Sequence, residues 1–218
     1  MMLKRKKLMP VCILMLVLAM VFTGCGGKGD GDSGSVTLRL ASDAPEDHIA
    51  TGINKELCDM VQEQTDGRVT IKYYPGSQLG GYETVYDELK MGSIDCAQIS
   101  LPDANDSRLS MPYVPYLATN FDEAKILYGK DSYMTKTFTG LTKKDHVKFL
   151  GWVLEGFIGT GLTKEPNDIK TPESKKNVKL RVSQTIPLLY LGEDLHYNTV
   201  TIPYAEVPTA IQTNVVDG

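Results

Sequence analysis

Between Val36 and Ser100 the spacing of apolar residues changes from one period to another and back. Val36–Ala41 (VTLRLA) is rich in strand-forming residues. Ile49, Ile53, Leu57, Met60 and Val61 then fall on one stripe at helical spacing. Asp43 and Pro45 stand where a cap and first turn belong, and Gly67 where a helix stops. Arg68–Tyr74 (RVTIKYY) is a second strand, Tyr82–Met91 a second helix carrying Val85 and Leu89 on one face, and Ile94–Ser100 (IDCAQIS) a third strand. Strand, helix, strand, helix, strand with short connections predicts an α/β fold, a parallel sheet covered by helices. The mostly apolar third strand fits a buried parallel position. Ligands of such sheets bind beyond the carboxyl ends of the strands. Those ends are Ser42-Asp43, the loop Gly76 to Tyr82, and Ser100-Leu101.

The pattern continues less regularly. Pro102 to Asn120 carries three prolines and predicts irregular backbone, followed by short helices over Phe121–Gly129 and Tyr133–Leu141. Val147–Leu154 (VKFLGWVL) predicts an apolar strand holding the single Trp, extended further by Ile158–Thr163. After a polar connection from Lys164 to Asn177 come a strand over Val178–Val182, a helix over Ile186–Gly192, a strand over Tyr197–Ile202 and a helix over Tyr204–Thr213.

The first residues carry an address. Lys4, Arg5, Lys6 and Lys7 precede an unbroken apolar run from Val11 to Phe22, too short to span a bilayer as a helix. Thr23, Gly24 and Cys25 follow, which predicts a secretory signal peptide cut before Cys25, with lipid attached to that cysteine. Gly26 to Ser35 (GGKGDGDSGS) predicts a flexible tether. Removal of the first 24 residues leaves 19 Lys and Arg against 27 Asp and Glu. That acidic balance argues against nucleic acid or an anionic lipid surface as partner. The remaining cysteines, Cys58 and Cys96, sit among apolar residues and predict buried thiols. The sequence has no metal-binding spacing of Cys or His, no phosphate loop and no nucleophile motif, so neither a cofactor, a metal nor an enzyme is expected.

Arg181 is the strongest single candidate for a binding residue. In VKLRV the residues Val178, Leu180 and Val182 point to one face, Lys179 and Arg181 to the other. On pattern alone an exposed arginine on a half-solvated strand is the favoured reading. Lining a cleft instead, it needs an anion, because a buried unpaired charge is costly, and its planar fork suits a carboxylate. Gln184 lies close by in the chain and can add hydrogen bonds. Asp43 reads first as a helix cap, Tyr82 as a helix-surface aromatic, Ser100 as a turn residue and Glu206 as a first-turn acid.

Together, LRLASDAPEDH, DGRVTIKYYPGSQLGGYE, MGSIDCAQIS, PYLATN, VKLRV and IPYAEVPTAIQTNVVDG resemble the solute-binding proteins of tripartite ATP-independent periplasmic (TRAP) transporters, the DctP family, over Val36 to Gly218. The resemblance implies a two-lobed, type II periplasmic-binding-protein fold with mostly parallel sheets, lobe I at 36–154 and lobe II at 155–218. It implies an extracytoplasmic, lipid-anchored receptor that hands a small carboxylate to membrane permease subunits. Arg181 then clamps the carboxylate, Gln184 contributes a polar group, and Asp43, Tyr82 and Ser100 line the first lobe's side of the cleft. Where some family members have a second arginine in a G-x-R stretch, this chain has Gly156-Phe157-Ile158, which implies an acid smaller or less polar than sialic acid. Family members continue beyond V-V-D-G, so a C-terminally truncated chain is expected, with both lobes incomplete and apolar faces uncovered. The alternatives are an ABC-type receptor and a ligand-sensing lipoprotein without transport.

Overall fold

The computed structural model describes residues 34–218. The expected signal peptide, the Cys25 lipidation site and most of the tether lie outside the described residues. β1 (Val36–Ser42) is the centre of a three-stranded sheet, flanked by β2 (Val69–Tyr74) and β3 (Cys96–Gln98). Both neighbours run parallel to it, as the alternation predicts, with Leu40 opposite Tyr73 on one side and Cys96 on the other. α1 (Ile49–Gln64) and α2 (Tyr82–Met91) make the crossovers. α2 ends at Gly92 in a left-handed conformation (φ 73°), where the Ser93 amide donates to the Glu88 carbonyl at 3.0 Å. Ala41, Val85 and Ile94 form the core under this sheet, with Leu79, Leu89, Ala97 and Ile99 packed around them.

α1 differs from expectation in two ways. Its cap is His48, whose Nδ1 accepts from the Ala50 amide at 3.2 Å, which frees Asp43 from that role. Its apolar stripe also faces outward: Ile49, Ile53, Leu57 and Met60 are exposed. The buried face is Ala50, Thr51, Asn54 and Cys58. Small residues let the helix sit close to the sheet, and Tyr73 meets it with hydrogen bonds from its hydroxyl to Thr51 (3.1 Å) and from Asn54 Nδ2 (3.2 Å). Cys58 is buried as expected, whereas Cys96 is only half-buried; both thiols are free, and burial raises each.

A second core forms beyond the sheet. The 3₁₀ turn Ser107–Tyr113, α3 (Phe121–Leu127) and α4 (Tyr133–Lys144) occupy the stretch expected to be irregular and then helical. Ser132 caps α4 by accepting from the Thr135 amide at 3.0 Å. Leu109, Met134, Phe138 and Leu141 are buried there, and Phe149 and Trp152 pack on them. The Trp152 indole donates to Thr135 Oγ1 at 2.7 Å, so its polar end is satisfied. The stretch 147–163, expected to be extended strand, joins neither sheet among the described residues. A strand exists only where a neighbour supplies ladder hydrogen bonds. Leu150, Val153, Leu154, Phe157 and Ile158 are accordingly exposed, in line with the expectation of uncovered apolar surface.

The second sheet pairs β4 (Lys179–Val182) with β5 (Asn198–Thr201) in parallel, linked through α5 (Ile186–Asp194). Val178, Leu180 and Val182 are buried while Lys179 is exposed, so the predicted alternation holds. Gly192 lies against β5: a Cβ there would stand 2.6 Å from Thr199 Cγ2. α6 (Val207–Gln212) follows a single 3₁₀ turn at Tyr204–Glu206. The sheet's entry is held by Lys176, which is 2 % exposed. Its ammonium donates to the Asp168 carbonyl (3.2 Å), the Ser174 hydroxyl (2.9 Å) and the Thr171 carbonyl. No carboxylate neutralises it among the described residues, so the carbonyl dipoles carry the charge. Lys176→Met keeps the stem and removes the donors. It is expected to lower stability by about 2–3 kcal/mol in denaturant unfolding, and an unchanged midpoint would contradict this role.

Candidate functional site

Residues from both sheets meet beyond the strands' carboxyl ends. The loop after β2 is tied to the end of β1: the Gly76 amide donates to the Ala44 carbonyl (2.8 Å) and the Ser77 amide to the Ser42 carbonyl (3.0 Å). Gly76 (φ 58°) and Gly80 (φ 110°) take left-handed conformations in this loop, which glycine allows without strain. The loop delivers Tyr82 to within reach of the charges of Asp103 and Asp43. Asp43 is half-buried, and burial raises its carboxyl above the ordinary range, helped by Glu155 and opposed by Arg181 and His48. Ser100, just past β3, shares a hydrogen bond with the Tyr113 hydroxyl. Burial raises the Tyr113 phenol, and the bond to Ser100 opposes the rise.

Tyr82 carries a test of this environment. Burial, with the charges of Glu83, Asp103 and Asp43 behind it, pushes its phenol up to about 12. The folded value lies above the unfolded value of 10.0, so this contribution to stability is complete below pH 10.0 and lost as pH rises through about 12. An ultraviolet tyrosinate titration is expected to show a late step near pH 12 that Tyr82→Phe removes. Loss of no late-titrating tyrosine in that variant would contradict the burial.

Arg181 reaches the same space from β4. It is half-buried, its Nε donates to the Ile202 carbonyl at 2.9 Å, and its guanidinium lies 5.7 Å from the centre of the Tyr204 ring. Its two terminal nitrogens make no hydrogen bond among the described residues. Burial lowers its pKa, with Tyr204 and Asp43 opposing. The residues Asp217 and Gly218 hold β4 in place: the Arg181 amide donates to the Gly218 carbonyl (2.7 Å), and the Asp217 amide to the Lys179 carbonyl (2.8 Å). A Cβ at Gly218 would fall 2.0 Å from the Gly161 carbonyl oxygen, so the backbone approach there requires glycine.

Four side chains absent from the sequence-derived set complete the cluster. Tyr204 stands edge-on to His48, with ring centres 5.6 Å apart. His48 Nε2 lies 3.9 Å from Glu155 Oε2. Gln98 Nε2 donates to Glu155 Oε1 at 3.0 Å. A continuous row therefore runs Arg181, Tyr204, His48, Glu155, Gln98, from one sheet to the other. Tyr204 stands inside the IPYAEV motif and Glu155 immediately before Gly156, the only sequence signals that could have drawn attention to them. Asp43 lies within reach of the charges of Arg181, His48 and Glu155 in this row, while Ser100 is engaged with Tyr113. Gln184 does not join it: its side chain is exposed in the loop between β4 and α5, where Ser183 and Thr185 bond each other at 2.7 Å. The arrangement offers a free guanidinium fork to an anion, two carboxylates to donors, and phenols to either.

Comparisons with known proteins agree on one group. The family described as bacterial extracellular solute-binding protein, family 7 (DctP), matches residues 40–218. The chain is 25 % identical over 186 residues to the sialic acid-binding periplasmic protein SiaP of Vibrio cholerae, covering 84 % of this chain and 57 % of that protein. It is 24 % identical over 184 residues to the 2,3-diketo-L-gulonate-binding periplasmic protein YiaO of Escherichia coli, covering 81 % and 52 %. Its fold resembles a TRAP periplasmic solute-binding protein of Polaromonas solved with D-erythronate, with a TM-score of 0.72, 18 % identity, and 84 % and 60 % of the two chains covered. The chain thus spans a little over half the length of the curated relatives it matches.

Proposed function

Because the chain belongs to bacterial extracellular solute-binding protein family 7, we propose that it captures a small organic acid between its two sheets for delivery to the membrane permease subunits of a TRAP transporter. The family is one of transport receptors and not of enzymes. The observation that carries the reading is the half-buried Arg181, whose terminal nitrogens have no partner among the described residues and which stands with Asp43 and Tyr204 at the ends of the strands. A guanidinium in that position is stabilised by a carboxylate held bidentately. Asp43, Tyr82 and Ser100 supply the facing wall, lobe I being 36–154 and lobe II 155–218. Ile158, in place of a second arginine, favours an acid smaller or less polar than sialic acid.

Relatives that bind sialic acid and 2,3-diketo-L-gulonate support an acid as ligand. The receptor works outside the cytoplasmic membrane, held to it by lipid on Cys25. Incorporation of a fatty-acid label that Cys25→Ala abolishes is the check on that anchor. Calorimetric titration of the complete protein with a panel of small mono- and dicarboxylates tests the receptor reading. Binding of at least one acid is expected, and a panel with no binder overturns it. Permease genes beside this one without an ATPase separate the TRAP reading from an ABC-type receptor.

A further inference from the structure

The cleft holds more negative charge than a receptor for a simple anion needs. Glu155 is held by a neutral amide, Gln98 at 3.0 Å, and faces the His48 imidazole at 3.9 Å. Among the described residues no Lys or Arg pairs with Glu155 or with Asp43 within 4.0 Å, and Arg181 forms no ion pair. The site therefore presents two carboxylates and one guanidinium. A purely anionic ligand seated on Arg181 adds a further negative charge facing Asp43 and Glu155. Like charges in a partly buried site repel more strongly than in water. A ligand with a cationic nitrogen at its other end gives the carboxylates a partner. The row of rings from Arg181 through Tyr204 to His48, with contacts of 5.7 and 5.6 Å, sets the direction in which such a ligand lies. Phenol faces beside it are favourable to a cation as well.

We infer that the ligand is an amino acid or an ammonium-bearing acid, its carboxylate on Arg181 and its protonated nitrogen towards Glu155 and Asp43. This rests on the reading of Arg181 as a carboxylate anchor. The test is calorimetric titration of the complete protein with matched pairs, alanine against lactate and γ-aminobutyrate against γ-hydroxybutyrate, with gluconate as a polyhydroxy anion. At least one amino acid is expected to bind about tenfold tighter than its hydroxy partner, the size of one charge-assisted hydrogen bond. Glu155→Gln is expected to erase most of that preference from both sides, weakening the amino acids and strengthening lactate and γ-hydroxybutyrate, which no longer face its negative charge. Hydroxy acids or gluconate bound as tightly as the amino acids, or neither amino acid bound, overturns the inference and leaves the carboxylate reading standing. Arg181→Ala separates the two: amino acid binding unchanged in that variant sinks the anchor.

Discussion

Arg181→Ala is expected to weaken binding of the cognate acid by roughly 10–150-fold, the loss of a charge-assisted pair worth about 1.5–3 kcal/mol. The arginine spends one nitrogen, Nε, on the Ile202 carbonyl, and that bond aims the other two. Tyr204 beneath the guanidinium keeps its plane in position. Arg181→Lys keeps the charge and loses the fork, so it is expected to recover only part of the affinity. Titration of the complete protein with the tightest acid from the panel measures both variants. The fold serves as internal control, since the β4 residues that bury the strand are Leu180 and Val182 rather than the arginine. Affinity within twofold of the parent in Arg181→Ala, with the melting temperature unchanged, would remove the anchor from the mechanism.

Phe138→Ala is expected to cost about 3–5 kcal/mol of stability. The ring is 2 % exposed and lies 4.6 Å from Trp152 and 5.7 Å from Phe149, centre to centre. Trp152 in turn stacks 4.9 Å from Phe149 and 5.0 Å from Tyr128. Removing Phe138 takes away buried apolar area and the shared edge of a ring cluster that a small side chain cannot refill. Phe138→Leu fills more of the space and is expected to cost less. Denaturant unfolding followed by the single tryptophan reports both, because Trp152 sits in the cluster. A loss below about 1 kcal/mol for the alanine variant would place the stabilising contacts of this region elsewhere.

Much of the frame was legible in residues close together in the chain. The change of hydrophobic period from Val36 to Ser100 predicts three parallel strands and two crossover helices, and all five occur. Gly92 marks the end of α2, and the alternation in VKLRV marks which face of β4 is buried. α1 shows where that logic stops. Its strongest apolar stripe is exposed, because the contact with the sheet is made by Ala50, Thr51, Asn54 and Cys58, small enough for close approach and able to bond Tyr73. The stretch 147–154 has strand composition without strand pairing, since hydrogen-bonding partners are a property of neighbours and not of composition.

The site divides along the same line. Local patterning was enough for the parallel α/β frame, the strand ends where binding residues gather, and Arg181 as the leading candidate, since periodicity and turn chemistry act within a few residues. It took the packing of distant elements to make His48 the cap of α1 in place of Asp43, to bring Asp43 and Arg181 to one space, and to join the two sheets through Tyr204, His48, Glu155 and Gln98. A hydrophobic period reports which face of an element turns inward. It carries no record of which polar side chain, more than a hundred residues away in the case of His48 and Glu155, comes to stand opposite. That pairing arises when separate elements pack, and with it the excess of carboxylates that makes a nitrogen-bearing acid the ligand to test.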